Sequence, residues 1–171
     1  NEKMNRVRLE NAYMESLPLL RQQFFNRLVT EPMEEEELKS QIENLKLEFK
    51  DEVYSVVAVK TGGGKEKDVL SELAVKQTLK EALEKIAHVY EFGTRDNEVF
   101  ILGSNKRHDI GRIIRTISEA EVLIERIFHS RISCGISVSG RSLKDMPVLY
   151  GQALEALDYN LVTVEESYTY Y

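Results

Sequence analysis

Residues that could do chemistry concentrate in two short segments of this 171-residue chain. The first is the run Thr61-Gly62-Gly63-Gly64-Lys65, which follows an apolar stretch. Glycine backbone between a strand and a helix can approach a phosphate closely, and its N–H groups and a lysine can hold the anion. The spacing differs from the Walker pattern, and Glu66 follows the lysine, where its carboxylate would repel phosphate. The sequence therefore favours a surface loop, with a weak anion or nucleotide site as the alternative.

The second segment is Arg95-Asp96-Asn97-Glu98, in a predicted hairpin turn. The strand before the glycine run ends on a further basic residue, Lys60. We expect Lys60, Lys65 and Arg95 to converge with the backbone of Gly62–Gly64 if the strands form as predicted.

Other reactive residue types give no constellation that predicts catalysis. The histidines His88, His108 and His129 are scattered and show no metal-ligand spacing. Cys134 lies in an apolar run, so we expect a buried thiol rather than a nucleophile. The sequence therefore predicts no catalytic residue, no metal site and no cofactor.

Charge and composition exclude several classes of protein. Lysine and arginine number 23 against 29 aspartates and glutamates, so the formal charge of −6 argues against direct binding of nucleic acid. The single cysteine excludes an internal disulfide framework. No apolar run reaches the roughly 18 residues that a membrane span needs. We expect a cytoplasmic protein without membrane contact.

The first thirty residues have a helical pattern of their own. Residues 2–15 are predicted to form a helix with a coiled-coil-like spacing that favours self-association. Ser16-Leu17-Pro18 predicts a break and a new helix over 17–29, and a further helix is predicted over 32–47. The residues of the expected dimerisation seam are Met4, Val7, Asn11 and Met14.

From residue 51 onward the pattern alternates between strands and helices. The order β-α-β-β-α-β followed by α-β predicts an α+β domain of the split βαβ, ferredoxin-like kind, with helices packed on one sheet. We therefore divide the chain into a helical linker, 1–30, and an α+β domain, 31–171. The predicted elements are strand 53–59, loop 61–64, helix 66–88, strands 89–93 and 98–103, helix 108–129, strand 132–138, helix 142–158 and strand 161–165.

Three segments of this pattern resemble the nucleotide-cyclase-like palm of GGDEF domains. They are the strand Tyr54–Lys60, the hairpin Arg95–Val99 with its following strand, and the strand Cys134–Val138 together with the helix Leu149–Leu157. The chain is still more similar to the degenerate GGDEF-like middle domain of bacterial AraC-type transcription regulators. In those proteins a helix like Ser16–Leu28 precedes the domain, and a closing Tyr-x-x-Ala-x-x-Ala-Leu-x-Tyr pattern ends it, here at Tyr159.

The resemblance implies that cyclase chemistry is lost. Active cyclases hold two metal ions with carboxylates beside GTP, but Lys60 stands where the resemblance places a metal-binding aspartate. Arg95 and Asp96 replace the two glycines of the signature, and Asn97 replaces its aspartate. Only Glu98 remains as a carboxylate at its place, so we expect no enzyme activity.

Two functions follow as expectations. The first is a regulatory and dimerisation module, in a two-component or membrane-sensor type of regulator, between an input domain and a C-terminal helix-turn-helix domain. It would form a homodimer and leave DNA contact to its neighbour. The alternative is a small-molecule or nucleotide sensor that uses the former cyclase cleft, with these ligand-binding residues: Lys60, Gly62, Gly63, Gly64, Lys65, Arg95, Asp96, Asn97 and Glu98.

Overall fold

The computed structural model describes residues 1–62, 69–107, 109–162 and 168–170 and is a mixed α+β structure with one sheet. The helices are α1 (Glu2–Thr30), α2 (Glu35–Asn44), α3 (Val69–Glu84), α4 (Ile110–Phe128) and α5 (Met146–Val162), with a 3₁₀ turn at Leu143–Asp145. The strands are β1 (Val53–Gly62), β2 (His88–Gly93), β3 (Glu98–Ser104), β4 (Arg131–Ile136) and β5 (Tyr168–Tyr170). The predicted α+β class is confirmed.

The sheet has the strand order β2-β3-β1-β4-β5. The central strand β1 pairs antiparallel with β3 and β4, β2 pairs antiparallel with β3, and β5 runs parallel to β4. Val59 lies opposite Glu98 on one side and Cys134 on the other. A strand covered on both faces needs a nearly continuous apolar sequence, which explains the β-branched run in β1.

Helices cover both faces of the sheet. On one face α3 and α4 pack against Val57 and Val59 of β1, whereas on the other α5, α2 and the second half of α1 pack with Val56 and Ala58. The alternation follows from the two-residue period of a strand. Cys134 lies in the α3–α4 core and is fully buried, as predicted.

The helix α1 runs without a break through Pro18, so the prediction of two helices separated at Ser16–Pro18 was wrong. Proline inside a helix removes the N–H that would bind the carbonyl four residues earlier. Here the flanking turns are fixed on both sides, because Tyr13 donates a hydrogen bond to the carbonyl of Asn44 and Arg21 donates one to that of Leu45. Tertiary contacts therefore override the local signal.

Other element boundaries also differ from the sequence prediction. Thr61 and Gly62 are the last residues of β1 rather than a loop, because both pair with β4. The helix predicted to reach His88 ends at Glu84, and His88 begins β2. The strand predicted over 161–165 was wrong at its start, because residues 161 and 162 belong to α5. The helix that begins at Met146 continues through both residues, although valine is a residue type that favours strands.

The hairpin between β2 and β3 is confirmed. Thr94 N–H donates to the carbonyl of Asn97 over 2.8 Å, and Asn97 N–H donates to the Thr94 hydroxyl over 3.0 Å. Asn26 of α1 donates to the carbonyl of Gly93 over 2.9 Å, which joins the helix to the start of the turn. The turn is therefore held both internally and from α1.

Among the helices in the described ranges, none combines the length and the apolar character needed to cross a bilayer.

Candidate functional site

The predicted cleft residues lie at one end of the sheet, where β1 finishes and the β2–β3 hairpin turns. Antiparallel pairing of Val59 with Glu98 brings the end of β1 beside the hairpin. Arg95 and Asp96 are exposed at the tip of the turn, Lys60 is half-buried and Asn97 is buried. Gly62 is exposed, and the predicted Gly63, Gly64 and Lys65 lie outside the described residues.

The two faces of the sheet separate Lys60 from Glu98. Lys60 is two residues after Ala58, so strand alternation directs it to the face covered by α1 and α5. Glu98 lines a pocket with Val59 and Phe100 on the opposite face, beneath α3. A small ligand bound on one face would therefore not contact both side chains.

Glu98 belongs to a group of charged side chains that the sequence analysis missed. The ammonium of Lys76 in α3 lies 3.7 Å from Glu91 Oε1 and 4.0 Å from Glu98 Oε2. Glu91 Oε2 and Glu98 Oε2 are buried and make no hydrogen bond within the described part of the chain. The contacts join α3 to β2 and β3, so helical spacing alone could not reveal them.

Burial is the main cause of a raised pKa at Glu98. The Lys76 ammonium opposes this shift, while the carboxylates of Glu91 and Glu72 add to it. The adjoining pocket has a volume of about 130 Å³, below the roughly 300 Å³ at which small-molecule sites begin. Its size and charge fit an ion or waters better than a nucleotide.

The predicted dimerisation seam lies on the first half of α1. Met4, Val7 and Met14 are 59%, 50% and 53% exposed, and Asn11 is exposed as well. The second half of the same helix is buried in the core shared with the sheet, through Leu17, Phe24, Phe25, Leu28 and Val29. The apolar residues in the second half of α1 are therefore buried against the sheet, whereas those in its first half are exposed.

A second polar cluster that the sequence analysis missed ties the start of β1 to β2. Asp51, whose side chain is fully buried, accepts a hydrogen bond from His88 Nδ1 over 2.6 Å and one from the Tyr90 hydroxyl over 2.8 Å. Burial and then the bond to Asp51 raise the pKa of Tyr90. The partners are 37 and 39 residues apart in sequence, so only strand pairing brings them together.

Within the described ranges, no three histidine, cysteine, aspartate or glutamate side chains are grouped as metal ligands. A scan of the sequence against models of known protein families and a search of curated proteins both give no match.

Proposed function

We propose that this chain is a non-catalytic regulatory and dimerisation module of a cytoplasmic transcription regulator. In this proposal an input unit and a C-terminal helix-turn-helix unit belong to the same polypeptide, and two copies pair through the first half of α1. The observation that carries the proposal is the division of α1. Its exposed seam and its buried half form one continuous helix, so a rearrangement at the seam reaches the sheet directly.

The topology supports a ferredoxin-like, cyclase-palm-like core for this module. Strands β1 to β4 have the order β2-β3-β1-β4, with every neighbouring pair antiparallel. This is the order that a split βαβ arrangement produces, because β3 is inserted between β2 and β1. The resemblance to the GGDEF-like middle domain of AraC-type regulators gives the functional context.

A non-catalytic role fits the groups at the hairpin end of the sheet. Lys60 provides an ammonium where the resemblance places a metal-binding carboxylate, and Arg95 and Asp96 fill the positions of the two signature glycines. The pocket that the described residues form beside Glu98 has a volume of about 130 Å³, below the roughly 300 Å³ at which small-molecule sites begin. The sensor function at this cleft is therefore the weaker candidate.

The test is sedimentation equilibrium on the 171-residue chain and two matched variants. Val7→Glu puts a charge in the seam, whereas Leu9→Glu puts the same charge on an apolar residue that is 71% exposed on another side of α1. We expect Val7→Glu to weaken dimerisation by about tenfold or more and Leu9→Glu to leave it unchanged. A monomeric wild type, or equal effects of both substitutions, would contradict the proposal.

A further inference from the structure

A larger cleft lies at the opposite end of the sheet from the hairpin. Its volume is about 760 Å³, well within the range of small-molecule sites. It forms where β1 begins, where β3 and β4 end, and where α4 starts. The residues that line it are Glu52, Val53, Asn105, Arg107, Ile110, Gly111, Ile114, Ser137, Val138, Ser139 and Arg141.

One wall of this cleft is held firmly by the backbone after β4. Gly140 exchanges two hydrogen bonds with Tyr54, of 2.7 and 2.8 Å, and Ser137 N–H donates to the carbonyl of Val56 over 2.9 Å. The Ser137 hydroxyl accepts from the Val56 N–H over 2.8 Å and donates to the carbonyl of Val138. These hydrogen bonds hold the backbone of the wall that contains Ser139. Arg141 directly follows Gly140 in this fixed segment.

Two arginines face this cleft from different connections. Arg107 lies between β3 and α4, and Arg141 lies between β4 and α5. Neither guanidinium forms an ion pair within the described part of the chain, whereas Arg27 pairs with Glu37 over 2.8 Å. Two guanidinium groups on one concave surface make this part of the molecule basic, although the chain as a whole has a net charge of −6.

Among the described residues that line the cleft, one carries the opposing charge, the carboxylate of Glu52. Its charged lining is therefore two cations against one anion. The positive end of α4 adds to this balance at Gly111, although the Asp109 side chain already accepts the hydrogen bond of Arg112 N–H. Arginine presents a planar fork of donors that matches phosphate oxygens.

We propose that this cleft binds a small compound carrying a phosphate group, held between Arg107 and Arg141. The acidic charge of the chain as a whole disfavours a polymeric nucleic acid, and the concave shape favours a compact ligand. The site is separate from the hairpin end and does not depend on dimerisation through α1.

The test is calorimetric titration of the chain with pyrophosphate and, separately, with orthophosphate. We expect saturable binding by the wild type, weakened about tenfold or more by Arg107→Gln and by Arg141→Gln. Both arginines are exposed, so folding should be preserved, and the unfolding midpoint of each variant checks this. Arg115→Gln removes an exposed charge of the same kind from α4 outside the cleft and should leave the affinity unchanged.

A further variant is expected to have the opposite effect on affinity. Glu52→Gln removes a carboxylate from the lining and should tighten pyrophosphate binding several-fold. Absence of saturable binding by the wild type to either anion would overturn the proposal. So would an equal loss in Arg115→Gln, because it would show non-specific attraction to positive charge.

Discussion

Gly103 leaves the space that the carboxylate of Asp51 occupies. A Cβ at residue 103 would overlap the side chain of Asp51 and approach its Cβ to 3.0 Å. Gly103 lies between its pairing partners Tyr54 and His88 in the sheet. The missing side chain thus allows the Asp51 carboxylate to reach across β3 to His88 and Tyr90.

Gly103→Ala should destabilise the fold by about 1–3 kcal/mol, because the added methyl group must displace a buried carboxylate. The measurement is denaturant unfolding of the two single variants and the double variant with Asp51→Ala. In the Asp51→Ala background the same methyl group meets no carboxylate and only the 3.0 Å contact with the Cβ of residue 51 remains, so its cost should be smaller. Additive effects in this cycle would contradict the steric relationship.

At Gly135 the backbone of α5 lies close against β4. A Cβ there would overlap the carbonyl of Ala153 and come within 2.5 Å of Leu157 N. Gly135→Ala should therefore lower the free energy of unfolding by about 1–3 kcal/mol or more.

The control is Gly151 on α5, the helix that contacts Gly135. No described atom outside the neighbouring helix backbone lies within 4 Å of a Cβ at Gly151. Gly151→Ala should raise the free energy of unfolding by about 0.5–1 kcal/mol, because alanine favours the helix. Equal effects of the two substitutions in thermal or urea unfolding would show that α5 does not rest on Gly135.

Glu98 should make stability depend on pH. Burial raises its pKa in the folded protein, so its contribution is full below the ordinary glutamate pKa of about 4.3 and is lost as the pH rises through the folded value. Glu98→Gln removes the ionisation. We expect the variant to gain stability relative to wild type between about pH 4 and 7.

Thermal unfolding across this pH range measures the effect of Glu98. Glu119→Gln, at an exposed position on α4, is the control for a general change of charge. A stability difference between Glu98→Gln and wild type that stays constant or shrinks as the pH rises would refute the prediction.

The charges beside the α1 seam allow a test of helix orientation. With Met4 and Asn11 at the first position of each heptad, a parallel pair places Lys3 beside Arg8 of the other copy and Glu10 beside Glu15. Like charges repel by about 0.3–0.5 kcal/mol for each exposed pair. Arg8→Glu should therefore tighten a parallel dimer, and added salt should tighten the wild type.

Sedimentation equilibrium at two salt concentrations measures both effects. Arg6→Glu changes the charge equally but at a position away from the flanks of the seam, and it should leave the dimer unchanged. Weaker association of the Arg8→Glu variant would indicate antiparallel pairing. In an antiparallel pair the N-termini of the two α1 helices lie at opposite ends, so paired input units could not both precede them on the same side.

The sequence predicted the element types well because their signals are local. The β-branched run of β1, the turn at Thr94–Asn97 and the isoleucine stripe of α4 each lie within one element. The break predicted at Pro18 was wrong because contacts distant in sequence hold the helix on both sides of it. The strand predicted over 161–165 was wrong at residues 161 and 162, which belong to α5, and residues 163–165 lie outside the described ranges. The Lys76 and Asp51 clusters were missed for the same reason, since each joins residues that only the sheet brings together.

Pro18 affects how α1 can bend and rotate between its exposed first half and its buried second half. Proline removes one helical hydrogen bond, so α1 bends more easily at this turn than in its regular turns. Tyr13 and Arg21 lie on either side of Pro18, and both donate hydrogen bonds to carbonyls at the end of α2. Bending α1 at Pro18 would break one of these two hydrogen bonds. Rotation of the first half of α1 about the helix axis would instead be transmitted through Pro18 to the half that packs on the sheet.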